Sequence, residues 1–452
     1  MDYKTLFSQT PPTRLFFKAA IPGSIGMLAS ALYQVADGIF ISRILGDTAF
    51  AGFNLAMPLV IINFALADLI GLGSAVPISI KLGSKDEQEA NNYFTCASIM
   101  VVLAGILSGA VLALGGRTFL SWMGAQGELL DQATQYLVTY ALCSPVTTIV
   151  FAVDNYLRIC GKIRRSMFLN IFMSVACMGF ELLFMGVLKI GIRGAALGSS
   201  LGMALTAIAA FVPFFFGKMQ LRFVRPRFHA KALREIVSCG LPSFLNNIAG
   251  RVTSIIMNVV LLALGGQNAV SVYGILMTMD GFVHPLLYGM CDSLQPAVGF
   301  NWGARNIQRV KAIELRCYTA AIILALATTG VLALFPRQIA GLFITGDSDP
   351  AYLEMAVHAL VLFSLTYITR WFSFATQSFL SAIEKPVAAS AISVCTALVF
   401  PVILIGVLWP LGLTGIWLNF AGTAVLAAVL GGILLRREHA DLTRPDAPVA
   451  AE

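Results

Sequence analysis

The sequence predicts an all-α integral membrane protein, with twelve transmembrane helices in two six-helix lobes related by pseudo-two-fold symmetry. Three observations carry that prediction. Of 452 residues, 58% are hydrophobic and 12% charged, with mean hydropathy +0.82, whereas soluble domains run at about 25% charged. Apolar runs long enough to cross a bilayer, which takes about 20 residues, recur along the whole chain. Finally, the chain reads as one unit written twice.

The runs lie near 15–43, 51–80, 93–115, 133–158, 166–188, 194–217, 236–264, 270–300, 315–336, 352–380, 387–408 and 413–435. They are too long for barrel strands and lack two-residue alternation, so they are helices. The first run is longer than a signal-peptide core. No small-residue cleavage site separates it from the second, so no cleavable leader is expected. It contains "LYQVADGIFISRILG" (32–46), with Asp37 near the middle and Pro22 some four helical turns earlier. Proline removes a backbone hydrogen bond and makes a hinge there.

The longest polar stretch, "GKMQLRFVRPRFHAKALRE" (217–235), holds six basic residues and divides the spans six and six. The expected organisation is an N-lobe over 1–217, a linker over 218–235, a C-lobe over 236–436 and a tail over 437–452. Sliding the chain on itself by about 220 residues places Pro22 on Pro242, Gly46 on Gly266, Gly83 on Gly303 and Gln88 on Gln308. At nearby offsets "YLRICGK" meets "FLSAIEK" and "KIGIRGAALG" meets "PLGLTGIWLN". Six spans per unit is an even number, so both units face the same way. Parallel repeats of this kind are a recurring transporter plan.

The formal charge of +7 follows from topology and implies no nucleic-acid partner. With both termini on one side, the segments on that side hold 23 of the 30 Lys and Arg, and the opposite loops hold five. By the positive-inside rule both termini are cytoplasmic, in a multi-pass protein of the cell (inner) membrane. The eight cysteines are dispersed without a CxxC pair and read as small packing residues, with no metal or redox role. The four histidines, at 229, 284, 358 and 439, form no catalytic motif, so an enzyme is not expected.

A carboxylate at the bilayer centre costs at least about 2.5–3.5 kcal/mol on insertion scales, and it persists where it faces a cavity or a partner. The embedded ionisable residues are Asp37, Asp68, Asp154, Glu181, Arg251, Asp280, His284, Asp292 and Arg370. Four acids lie in the first half and both arginines in the second. That asymmetry suggests that the first lobe handles a cation. Asp154 belongs beside Arg158 at the cytoplasmic interface, and Asp68 sits where nearby glycines open the helix. Asp280 and His284 share a helix face and suit a mutual hydrogen bond. Arg251 and Arg370 either pair with Asp280 or Asp292 or recognise an anion. Asp37 and Glu181 are the ion-coupling candidates: a carboxyl in a dry cavity takes up a proton near neutral pH and releases it when the cavity floods.

Over about residues 12–436 the chain resembles the multidrug and toxic compound extrusion (MATE) family. The resemblance lies in "VADGIFISRILGD" after "IPGSIGMLAS", "GSAVPISIKLGSKD", "NYLRICGK", "GIRGAALGSSLG", "SLQPAVGFNWGARN" and "IEKP". It implies a twelve-helix antiporter that expels organic cations or drugs in exchange for protons, with sodium as the alternative ion and no cofactor. It also implies that Asp37 is the coupling acid of the first helix. Glu181 corresponds to the Asp of an N-x-x-x-D pattern, with Cys177 standing where Asn is usual, and Ser199 stands where members often have Thr. An Arg common after "YGI" is replaced by Thr278, and Asp292 is an added acid. Sodium-coupled members use acids of the second lobe, which keeps Asp280 and Asp292 in view. Secondary or cavity-lining candidates are Gln34, Asn54, Asp68, Ser199, Arg251, Asp280, Asp292 and Arg370, with Pro22 as hinge. The expected partners are the lipid bilayer and a small organic cation or drug, and a monomer is expected. The rival reading is a flippase or exporter of an anionic lipid-linked or metabolic substrate that uses Arg251 and Arg370.

Overall fold

The structure is a computed structural model that describes residues 3–344 and 350–442, without the side chains of 439–442. Most of the expected 437–452 tail lies outside the described residues. The first half comprises α1 (Pro12–Leu45), α2 (Asp47–Gly83), α3 (Glu87–Trp122), α4 (Gly127–Thr147), α5 (Ile149–Ile159), α6 (Ile163–Glu181) and α7 (Ile192–Phe215). The second comprises α8 (Ala230–Gly303), α9 (Ile307–Leu334), α10 (Pro336–Gly341), α11 (Pro350–Ala382), α12 (Pro386–Val394), α13 (Phe400–Leu408) and α14 (Gly412–Leu442). Among the described residues there is no strand.

Ten stretches of the described residues are long and apolar enough to cross a membrane, and two of them are double. A straight helix of 74 residues, the length of α8, would be about 110 Å long, several times the bilayer core. It breaks instead at Gly266 (φ 64°). The 53-residue stretch Pro386–Glu438 turns at Trp409–Leu411 and Gly412 (φ 58°). Twelve spans result, in the order the sequence predicts. Large apolar side chains face outward, such as Leu114 at 88% exposed and Val387 at 83%, a surface that suits lipid and not water.

The backbone carries the duplication as clearly as the sequence does. Residues with positive φ mark helix boundaries at Gly46 and Gly266, Lys85 and Arg305, Gly161 and Glu384, and Gly191 and Gly412. Each pair occupies matching places in the two halves. Such a residue stops a helix and redirects the chain, so the same stops recur in both copies even where the side chains have diverged.

By compactness the chain separates into two units. One holds Met1–Asn247 and Tyr288–Ile313, the other Ile248–Leu287 and Glu314–Glu452. The first unit therefore includes both end segments of α8 as well as the whole first half. Within it α1 lies on α6, α6 on α7, α4 on α7, and α2 on α3 and α4. In the second unit α14 packs on α11 and α13, around Leu261, Leu276, Phe363, Tyr367 and Trp417.

Glycines set how closely the first-unit helices approach. A Cβ on Gly83 would overlap the Phe300 carbonyl oxygen, and one on Gly303 would overlap that of Ile80. The two glycines are repeat equivalents, and each meets the carbonyl three residues before its partner. Gly73 and Gly240 make a second backbone contact, and Gly23 and Gly289 a third, next to the buried Pro22.

The N-terminal residues are wedged into the same unit. Tyr3, Leu6 and Phe7 are buried, and the Phe300 ring meets Tyr3 edge-on at a centroid distance of 5.8 Å and Phe7 at a tilt at 5.9 Å. Asn301 Nδ2 donates to the Phe7 carbonyl at 3.1 Å, and Arg309 Nε donates to it at 2.7 Å. Arg309 Nη2 also donates to the carbonyl of Thr10. Arg309→Ala removes the guanidinium from both carbonyls and leaves that of Phe7 with Asn301 alone, a loss of about 1–3 kcal/mol for groups this sheltered. Hydrogen exchange of residues 3–10 is expected to rise, while exchange at the α6–α7 contact stays unchanged.

The connector keeps its side chains at 222–231 exposed while α3 holds its backbone. Residues 218–229 run without helix along α3, and α8 starts at Ala230. The Asn91 Oδ1 accepts from the backbone N–H of Arg222 at 2.7 Å, Thr95 Oγ1 from Val224 at 3.1 Å and Asn92 Oδ1 from Arg227 at 2.8 Å. Side chains thus supply the partners that a ladder strand would otherwise provide.

Candidate functional site

Asp37 lies about three-quarters of the way along α1, one turn after Tyr33, so both share a face. Glu181 ends α6, where the helix loosens into a π-type turn over Leu182–Val187. The α1–α6 packing brings the two acids together. Asp37 is 7% exposed and Glu181 fully buried, each within electrostatic reach of the other. The Tyr33 hydroxyl donates to Glu181 Oε1 at 2.6 Å. Among the described residues, Asp37 Oδ1 and Glu181 Oε2 have no hydrogen-bond partner, and no Lys or Arg forms an ion pair with either acid. Buried carboxyl oxygens without donors are costly unless protons or ligands visit them.

Helix α7 fixes the back of this site through glycines four residues apart. A Cβ on Gly198 would stand 2.6 Å from the Glu181 backbone nitrogen, and one on Gly202 would stand 2.5 Å from Cys177 Sγ. This is the small-residue approach used between membrane helices. Ser199 is buried beside Glu181 and donates to the Ala195 carbonyl at 2.7 Å. Cys177 points its sulfur at the Ser199 carbonyl, 3.3 Å away. It therefore packs as a weak donor and does not take up the role of an amide.

A second cluster in the same unit gathers Asp154, Arg158, Ser166 and Asn170. Arg158 Nη2 lies 2.6 Å from Asp154 Oδ2, and Ser166 and Asn170 donate to Asp154 Oδ1 at 2.5 and 2.9 Å. Arg158 is 1% exposed, and its charge also acts on Asp68 and Asp292. Asp292 accepts from Gln295 Nε2 at 2.9 Å. Asp68 and Asp292 thus lie within electrostatic reach of this guanidinium, while Asp154 is its ion-pair partner.

In the second unit Arg370 grips Asp280 through both nitrogens, at 2.7 and 3.2 Å, and Tyr367 donates to the same carboxylate at 2.8 Å. Arg370 thus pairs as one of the two sequence readings had it. Asp280 takes Arg370 and Tyr367 as its hydrogen-bond donors, with His284 beside it. Arg251 differs: it is exposed and forms no ion pair with Asp280 or Asp292 among the described residues. Gln34 and Asn54 are exposed on α1 and α2. No group of three metal-ligating side chains stands together among the described residues. Sequence reading did not single out Tyr33; its place one turn before Asp37 was the available signal.

A family model described as MatE matches residues 22–183 and again 242–405, repeating the offset of about 220. The chain is 25% identical over 451 residues to the multidrug export protein MepA of Staphylococcus aureus (strain NCTC 8325 / PS 47), covering 95% of both chains. To MepA of Staphylococcus saprophyticus (strain ATCC 15305) it is 27% identical over 438 residues, covering 92% of both. A solved MATE structure in complex with MaL6 superposes with TM-score 0.92 at 23% identity, over 98% of this chain and 99% of the other.

Proposed function

The chain belongs to the MatE family, and from that premise we propose that it is a secondary antiporter that exports organic cations, drugs or toxic metabolites in exchange for protons by alternating access. It is a multi-pass membrane transporter and not an enzyme. The observation that carries the coupling is the Asp37–Glu181 pair, buried, adjacent and without a basic partner. Like charges at contact in a dry site repel strongly, so the pair suits one shared proton or one bound cation. Protonation from outside displaces the organic cation, and the neutralised site reorients. Release of the proton inside restores the charge that binds the next cation.

Sodium is the alternative ion. Asp280 already carries Arg370, and Asp292 lies in the field of Arg158, which favours the first-half pair and hence the proton. The same pairing weighs against an anionic substrate, because the Arg370 guanidinium is spent on Asp280. The basic bias supports cytoplasmic termini in an inner membrane, and the protein acts as a monomer. One proton exchanged for one monovalent cation moves no net charge, so only the pH gradient drives it, about tenfold accumulation per pH unit. Two acids permit a second proton and with it the membrane potential, worth about 2.3 kcal/mol per charge at 100 mV.

Energised vesicles containing the native chain and loaded with ethidium test this. Efflux is expected under a pH gradient alone and absent under a sodium gradient alone. Efflux driven by sodium alone would overturn proton coupling.

A further inference from the structure

We infer that a groove between α1 and α6 holds an anionic phospholipid of the leaflet nearest the N-terminus. The groove encloses about 920 Å³. At one end stand Arg14, Lys18 and Arg164; along it run Phe17, Ile21 and Phe168, and Pro22 also lines it.

Three features select the ligand. First, the lining changes from basic to apolar along one α1 stripe that starts at Arg14 and ends at Ile25. That distance is about 16 Å at 1.5 Å per residue, close to half of the roughly 30 Å hydrocarbon core. The stripe therefore matches one lipid, with its phosphate at the helix start and an acyl chain running inward. Second, the groove has no acidic lining residue, and Arg14 and Arg164 form no ion pair among the described residues. Two other basic groups of the same unit are answered within the protein, Lys4 by Glu87 at 2.9 Å and Arg158 by Asp154 at 2.6 Å. Arginine's planar fork matches a phosphate geometrically. Third, Phe17 is 55% exposed and Phe168 63% exposed, so the apolar wall remains open to a chain arriving from the bilayer. A free phosphate would gain nothing from that wall, and a zwitterionic headgroup would bring its own cation up to Arg14 and Arg164.

The site bears on the α1 hinge. Pro22 lines the groove, Gly23 touches the backbone of Gly289, and Gly26 rests against Asn170. A lipid here braces α1 against α6 at the point where α1 lacks a backbone hydrogen bond. The inference is independent of the exported substrate and of the coupling ion.

Native mass spectrometry of the full chain in non-ionic detergent, titrated with phosphatidylglycerol or phosphatidylcholine, tests it. One phosphatidylglycerol is expected to be retained at concentrations where phosphatidylcholine is not. Arg14→Gln with Arg164→Gln should lower that occupancy at least about tenfold, the effect of losing 1.4 kcal/mol. Arg164→Gln alone should lower it less, and Arg222→Gln with Arg225→Gln on the connector should leave it intact. Glycerol 1-phosphate should not displace the lipid. Equal retention of phosphatidylcholine, unchanged occupancy in either groove variant, or displacement by glycerol 1-phosphate would each overturn the assignment. The single variant reads the same occupancy should the double variant not fold.

Discussion

Asp37→Asn is expected to reduce pH-driven ethidium accumulation from about tenfold per pH unit to none, while the folded state keeps or gains stability. The two readouts together separate coupling from structure. Asparagine has the shape of aspartate but holds no exchangeable charge. At 7% exposure, with Oδ1 lacking a donor, the carboxylate is an electrostatic burden on the fold. Removing it relieves a desolvation cost and leaves the helix packing untouched. Transport should therefore fail in a protein whose melting temperature does not drop. Tyr33→Phe removes the 2.6 Å hydrogen bond to Glu181 without removing an acid, so it is expected to shift the pH profile of efflux and to retain partial activity. An Asp37→Asn chain that still accumulates substrate against a pH gradient would take this residue out of the coupling step.

Gly303→Leu should act in the opposite sense, on stability first. Its Cβ would overlap the backbone oxygen of Ile80. A carbonyl inside a helix cannot step aside as a flexible side chain can. Overpacking of this kind costs about 1–3 kcal/mol, sometimes more, and here it separates the ends of α2 and α8. Gly83→Leu, at the repeat-related position, should match it. Gly274→Ala, where nothing lies within 4 Å of the new methyl group, should be neutral or gain about 0.5–1 kcal/mol of helix propensity. Melting curves of the three variants in detergent check the contrast, and equal melting points would refute the packing argument.

Much of this was readable along the chain. Span number depends on runs of apolar residues, which are local, and the duplication shows as a repeated order of glycines and prolines. Asp37 and Glu181 stood out because an acid in an apolar run needs a reason to be there. The identity of each partner was not local. Arg251 and Arg370 look alike in sequence, yet one is exposed and the other grips Asp280. Nothing in the run "YLRICGK" shows that the Arg158 side chain is only 1% exposed. The composition of the connector gives no sign that three side chains of α3 hold its backbone.

From its sequence alone the chain is fixed as a twelve-span duplicated membrane protein with acids embedded in its first half, because hydropathy and punctuation act over a few residues at a time. Which acids share a site and which base neutralises which acid were settled only by tertiary structure, as was where two backbones touch through glycine. Those outcomes depend on which faces of distant helices meet. In a helix whose faces are nearly all apolar, no periodicity along the sequence records that choice.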